Sequence, residues 1–188
     1  MSCNAFKKPA KRTVSTCTAT TARGDQCTRR TAKTGPKCWQ HTAIEEGVLV
    51  KRSNIPRAGC GLFAAKDLRR GTTIPYGGEL ITAQENDRRA RANARYTGDA
   101  DLNPYAITLN IRGRKNILDS VKTNSGNARY ANDARGSRFR NNAEIEQRGR
   151  KAVLRLKRPV QEGQEILTSY GAEYWNANNA KRAKRVKR

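Results

Sequence analysis

The residues best equipped for chemistry in this chain begin with three cysteines and its only histidine. Cys17, Cys27, Cys38 and His41 follow the spacing C-x9-C-x10-C-x2-H. Three thiolates and an imidazole suit Zn2+, and the closing Cys-x-x-His pair lets one turn present two ligands to one ion. Residues 15–42 are rich in Thr, Gly and Arg and nearly lack aliphatic side chains, so apolar burial cannot offset the entropy of ordering them. A structural zinc contributes folding free energy on the order of 10 kcal/mol at neutral pH. Four protein ligands close the coordination sphere, so the expected site is structural. Cys3 falls in a basic arm and Cys60 in a glycine turn, and neither is expected as a ligand. The competing reading is a set of scattered free thiols and a surface imidazole.

A second set of residues is spread more widely. Gly59-Cys60-Gly61-Leu62-Phe63 is a glycine-flanked turn entering an apolar run, where residues without a Cβ let backbone approach a ligand closely. It lacks the longer glycine fingerprint of a nucleotide phosphate cradle, and alone it reads as a hairpin turn. Downstream come I-P-Y-G-G-E-L at 74–80, R-Y-A-N-D-A-R at 129–135 and G-Q-E-I-L-T-S-Y-G at 163–171. Taken in order with G-x-G-L-F-A at 59–64, these segments resemble the SET domain of protein lysine methyltransferases, over roughly residues 46–175. The spacer K-D-L-R-R-G-T-T-I and the ending Y-G-A-E-Y-W at 170–175 add to the likeness. The Cys3His segment resembles a small module that precedes SET domains in some algal, oomycete and large-virus proteins.

The resemblance implies S-adenosyl-L-methionine as methyl donor, lying along the backbone of Gly59, Cys60, Gly61 and Leu62. Arg129, Tyr130 and Asn132 fall on the motif whose asparagine contacts the cofactor, and Trp175 would close the cofactor side. Tyr170 matches the tyrosine at the methyl-transfer point, and Tyr76 would help wall the lysine channel. The chemistry asks for an uncharged amine held near ~3 Å from the methyl carbon. Lysine in water has a pKa near ~10.4, and both desolvation and a facing sulfonium favour loss of its proton. Departures from the family pattern are visible. N-D-A replaces N-H-S, placing Asp133 and Ala134 at the histidine and serine positions. Asn141-Asn142 stands where the family has Pro-Asn. Thr168 and Ser169 replace Phe-Asp, residue 168 lying near the pocket that limits how many methyls are added. No cysteine follows Tyr170, which leaves the Tyr174-Trp175 segment, rather than a three-cysteine zinc site, to cover the cofactor.

The elements that must position these groups read as short strands broken by Gly and Pro. They are VLVKRSNI, GLFAAKDL and TTIPYGGELIT, then YAITLNI, KNILDS, AVLRLKR and EILTSY. Residues 83–96 lack Gly and Pro and predict one exposed helix. The expected fold is therefore mostly β (α+β): a SET fold of small sheets with a helical insert at about 83–98, preceded by a zinc module. The expected divisions are a basic disordered arm (1–14), the zinc module (15–43), the SET domain (46–175) and a basic tail (176–188).

The net charge is +23, and residues 43–175 alone carry 24 Lys and Arg against 15 acidic residues, so the body is basic as well as the arms. Such a charge favours polyanions. The expected partners are a protein substrate, histone or another basic chromatin protein, and nucleic acid or nucleosome reached through the arms. KKPAKR and KRAKRVKR could each serve nuclear import, giving a nuclear location, or a viral factory or virion if the protein is viral. No apolar leader or membrane-length run is present, which favours a soluble, reducing compartment. A basic groove would repel a basic peptide, so Glu79, Asp99 or Asp101 is expected near the channel unless docking is led by nucleic acid. Two rivals stand beside the enzyme. One is an inactive SET-like adaptor whose N-D-A motif no longer holds cofactor, and the other is a nucleic-acid-condensing protein.

Overall fold

A computed structural model describes residues 15–21, 23–31, 37–97, 103, 105–121, 126–172 and 174–175. Both basic arms, with Asp99 and Asp101, lie outside the described residues. In chain order the elements are β1 (Ser15–Thr16), β2 (Arg30–Thr31), α1 (Trp39–Glu46), β3 (Val48–Arg52), β4 (Cys60–Ala64), β5 (Thr73–Tyr76) and β6 (Glu79–Ile81). There follow α2 (Ala83–Thr97), β7 (Ala106–Ile111), β8 (Arg114–Asp119), a 3-10 turn (Ala128–Tyr130), β9 (Ala143–Arg148), β10 (Lys151–Leu156) and β11 (Glu165–Ile166). The mostly-β class of small sheets expected from sequence is what the chain adopts, with α2 as the helical insert between β6 and β7.

Three small antiparallel sheets form the body, in the orders β5-β10-β9, β11-β4-β3 and β6-β8-β7. β4 is central in its sheet and all five of its residues are buried, so the glycine turn leads into the least exposed strand of the fold. β10 alternates exposed and inward residues, as a strand with one solvated face should. Val48, Leu62, Ile74, Leu154, Leu156 and Ile166 are all fully buried, each contributing about 1.5–3 kcal/mol relative to exposure.

Two elements escape a reading by periodicity. β9 is a polar run, AEIEQR, made a strand by its pairing along the whole of β10. α1 is only eight residues long and ends at Gly47. There the backbone has φ +67°, and a Cβ would fall 2.9 Å from Lys66 Cε and 3.0 Å from Leu68 Cδ2. Glycine alone satisfies both demands. α1 is fastened to the body by Lys66 Nζ donating to Ile44 O (3.3 Å) and Asn127 Nδ2 donating to Glu46 Oε2 (3.4 Å).

The last strand is threaded rather than appended. The Thr168 N–H donates to Asn132 O (2.8 Å), while Leu167 O on the other side of the same peptide accepts from Asn142 N (3.0 Å) and Ala143 N (2.9 Å). Asn142, 2% exposed, reinforces the crossing by donating to Glu165 O and accepting from Leu167 N, each at 2.8 Å. α2 is clamped to β8 by Arg89, which donates to Asp119 and Glu85 at 2.6 Å and to Glu79 at 3.1 Å.

Gly61 faces the buried Glu165 carboxylate so closely that a Cβ would lie 2.3 Å from its Oε1. Gly61→Ala is therefore expected to destabilise the fold by about 1–3 kcal/mol, the usual cost of overpacking a tight site, read as a lowered denaturation midpoint at unchanged m-value. An unchanged midpoint would show that Glu165 is free to move away.

Candidate functional site

The metal-ligand residues are gathered as their spacing requires. The donor atoms of Cys17, Cys27, Cys38 and His41 all lie within 4.8 Å of one another, and the three cysteines are buried. Cys17 Sγ and Cys38 Sγ lie 3.4 Å and 3.3 Å from His41 Nδ1. α1 explains the last two ligands. Cys38 is its N-cap residue, in extended conformation, and His41 sits on its first turn, so both face inward together. β1 pairs with β2, bringing the neighbourhoods of Cys17 and Cys27 side by side, and Cys17 Sγ accepts from Cys38 N at 3.1 Å. Burial pushes the Cys38 thiol up, but the His41 N–H and ring, Cys17 and the Gln40 N–H outweigh it and bring it down to about 6. A cysteine readily held as thiolate, beside two more thiols and an imidazole, fits a tetrahedral zinc.

The second cluster lies where the threaded strand passes β4. The Tyr170 hydroxyl donates to Asn132 Oδ1 (3.4 Å), and Asn132 Nδ2 donates to Cys60 O (2.8 Å). Residues 60, 132 and 170 are thus joined in one chain of hydrogen bonds. Glu165, 4% exposed, underpins it by accepting from Ser53 Oγ (2.6 Å), Asn54 N (2.8 Å) and Asn132 Nδ2 (3.5 Å). Glu165 and Ser53 were not singled out from sequence. Nothing in G-Q-E-I marks one glutamate as buried, and only the register of Glu165 opposite Phe63 places it there.

Around Tyr170 the tyrosines converge. Tyr170 is 37% exposed, yet burial, with Tyr174, Tyr76, Asp133 and Tyr105 nearby, pushes its phenol up. Tyr76 is 8% exposed and is raised mainly by burial, with Arg129 opposing. Burial, then Tyr130, lift Tyr105 to about 12. All three hydroxyls therefore stay protonated at neutral pH. Arg129 is buried, donating to Ser120 O (2.7 Å), Val121 O (3.0 Å) and the Tyr130 hydroxyl (2.9 Å), with its guanidinium over the Tyr130 and Tyr105 rings. Tyr105 is a further member of the cluster that sequence reading passed over, because an aromatic opening a strand is the commonest of patterns. Thr168 is 1% exposed, and its Oγ1 finds no hydrogen-bond partner among the described residues.

Beside this cluster is an open cavity of about 550 Å³, walled by Asp133, Arg135, Asn141, Ser169 and Trp175 among others. Its size suits a cofactor of nucleoside dimensions. Trp175 forms part of its wall, whereas Gly59, Gly61 and Leu62 do not line it. Cys60, Arg129, Tyr130 and Asn132 do not line it either, and the bond from Asn132 to Cys60 O runs beside it. Asp133 organises the wall. Burial pushes its carboxyl up, but hydrogen bonds from Tyr170 N, Trp175 Nε1, Arg135 N and the Asn141 amide outweigh that and hold it below the ordinary carboxylate value. The altered N-D-A motif is thus fully bonded rather than collapsed. Glu79 pairs with Arg89 at 3.1 Å, and Asp99 and Asp101 lie outside the described residues.

The SET domain family matches residues 59–171. Comparison with curated protein sequences finds no match. Among solved structures, the chain resembles the methyltransferase domain of human PR domain-containing protein 2 with TM-score 0.52 and 19% identity, over 77% of this chain and 93% of that one. It also resembles a humanised Chaetomium thermophilum Polycomb Repressive Complex 2 bound to an inhibitor, with TM-score 0.52 and 24% identity over 66% of this chain. An apo ctPRC2 mutated in Ezh2 gives TM-score 0.51 and 27% identity over 66% of this chain. The chain spans only 15% of the length of each of these two polypeptides.

Two outcomes are expected. Purified protein should carry one zinc per chain. Its removal by a chelator, or Cys38→Ser, should expose residues 15–46 to protease while the β-sheet circular dichroism of the body persists; retained protection would refute a metal role. For Asp133, the folded-state pKa lies below the unfolded value of ~3.9, so its stabilisation is present above that value and is lost as pH falls through the folded one. The gap in urea midpoint between wild type and Asp133→Asn should therefore narrow as pH drops from about 5 towards 2, a difference that cancels acid release of zinc common to both.

Proposed function

Because the chain belongs to the SET-domain family, we propose that it is a protein lysine N-methyltransferase using S-adenosyl-L-methionine, with residues 46–175 as its catalytic domain and 15–43 as a structural zinc module. The observation that carries the reading is the hydrogen-bonded line from the Tyr170 phenol through Asn132 to the Cys60 carbonyl. It unites three motifs that lie far apart in sequence, beside a cavity large enough for a donor.

When bound, the sulfonium donor supplies the methyl group. The chain's own residues would do the rest. The family resemblance assigns the backbone of Gly59, Cys60, Gly61 and Leu62 to the donor although they do not line the cavity, Arg129, Tyr130 and Asn132 hold the hydrogen-bonded groups beside it, and Trp175 covers one side. Tyr76, Tyr105 and Tyr170 form a low-polarity approach for the substrate amine. Burial there disfavours the ammonium form, and the Arg129 guanidinium in their midst adds like-charge repulsion. The amine that enters is therefore one that has released its proton to solvent. The Tyr170 hydroxyl then orients its lone pair along the line of displacement, so that positioning supplies much of the rate.

The substrate we infer is a lysine of a histone or another basic chromatin protein, and the site of action is nuclear. The basic body and arms would dock on the nucleic acid that such a substrate wraps, which removes the need for an acidic groove now that Glu79 is paired with Arg89.

Incubation with labelled S-adenosyl-L-methionine and nucleosomes, free histones or DNA tests this reading. Label is expected in a histone band, lowered by roughly 10²-fold in Tyr170→Phe, the scale for removing a positioned catalytic hydroxyl. No heat with S-adenosyl-L-methionine in calorimetry, and no transfer to any protein, would instead favour the adaptor.

A further inference from the structure

Position 133 is where the SET resemblance places histidine, and a neutral imidazole offers a single acceptor nitrogen. Here a carboxylate, 8% exposed, collects four donors from separate places. Its Oδ1 accepts from Arg135 N (2.9 Å) and Asn141 Nδ2 (3.2 Å). Its Oδ2 accepts from Tyr170 N (2.9 Å) and Trp175 Nε1 (2.8 Å). The first pair belongs to the loop that follows Asn132, and the second to the segment that leaves the threaded strand.

An indole has one polar handle, its N–H, and Trp175 commits it to Asp133. The ring is also held by the Arg135 guanidinium 5.4 Å from its centre, by stacking with Tyr170 at 6.3 Å and by the edge of Tyr174 at 5.3 Å. Of these contacts only the carboxylate bond is strongly directional, so it fixes which way the indole faces the cavity.

We propose that Asp133 is a positioning residue that latches Tyr170 and Trp175 beside the cavity, so that retention of the methyl donor depends on the Trp175–Asp133 hydrogen bond. What the cavity holds rests on the methyl-transfer reading above; the latch itself does not. Asparagine at 133 keeps the size but offers one acceptor oxygen, leaving two of the four N–H donors facing an amide NH2. Phenylalanine at 175 keeps an aromatic ring and removes only the N–H.

The chain has two tryptophans, so the emission lost in Trp175→Phe is that of Trp175. In Asp133→Asn, with no donor present, that component is expected to shift to the red and to become more accessible to acrylamide; unchanged quenching overturns the latch. Calorimetry with S-adenosyl-L-methionine is expected to show dissociation constants raised roughly tenfold in each single variant, the scale of one lost bond to a charged partner. The double variant should bind no more weakly than the weaker single, because both remove the same bond. Additive losses in the double, or unchanged affinity in Trp175→Phe, overturn the role in donor retention, and the latter decides even if Asp133→Asn fails to fold. Absence of donor binding by the wild type would count against the methyl-transfer reading, while the quenching comparison still decides on the latch.

Discussion

The peptide unit between Leu167 and Thr168 is held on both sides, its N–H by Asn132 and its carbonyl by Asn142 and Ala143. A buried backbone unit must find partners for both polar groups, and here the partners come from the two ends of one loop. That double engagement brings Tyr170 alongside Asn132 and Asp133, and it carries β11 against β4 so that Glu165 sits beneath Gly61. The glycine turn, the asparagine and the tyrosine are neighbours because of this crossing, and no local feature of any of the three would bring them together.

The chain uses two different means of ordering itself. The sheets rest on aliphatic burial, with Leu62, Ile74, Leu154 and Ile166 sealed from solvent. Among the described residues, the segment before them buries three cysteines and an alanine in place of a core, with donor atoms gathered in a set compatible with a structural zinc. α1 joins the two regimes, with ligands at its start and the Gly47 turn into β3 at its end.

Much of this was legible in the sequence, and the failures have physical causes. The Cys3His spacing, the α2 insert and the order of four motifs are encoded by residue type at fixed intervals, and the structure brings each of those groups together. α1 was missed because WQHTAIEE is too short and too polar for a helical period to emerge, and its start is set by a ligand residue rather than a capping hydroxyl. β9 was missed because its partner makes it a strand. In the sequence Asp133 looks like a loss of the family histidine, since a sequence shows which acceptor has gone but not which donors surround the newcomer. Gly59 and Gly61 look equivalent on paper, yet the first serves a positive φ in open space while the second avoids a buried carboxylate.

The threading also dictates a calendar. Strand β11 and Tyr170 are among the last described parts of the chain to leave the ribosome, whereas the loop from Asn132 to Ala143 that must receive them emerges earlier. Pairings between segments so distant along the chain form late. A nascent polypeptide therefore passes through a stage in which β3 and β4 stand without β11, and Tyr170 arrives after the loop that is to receive it.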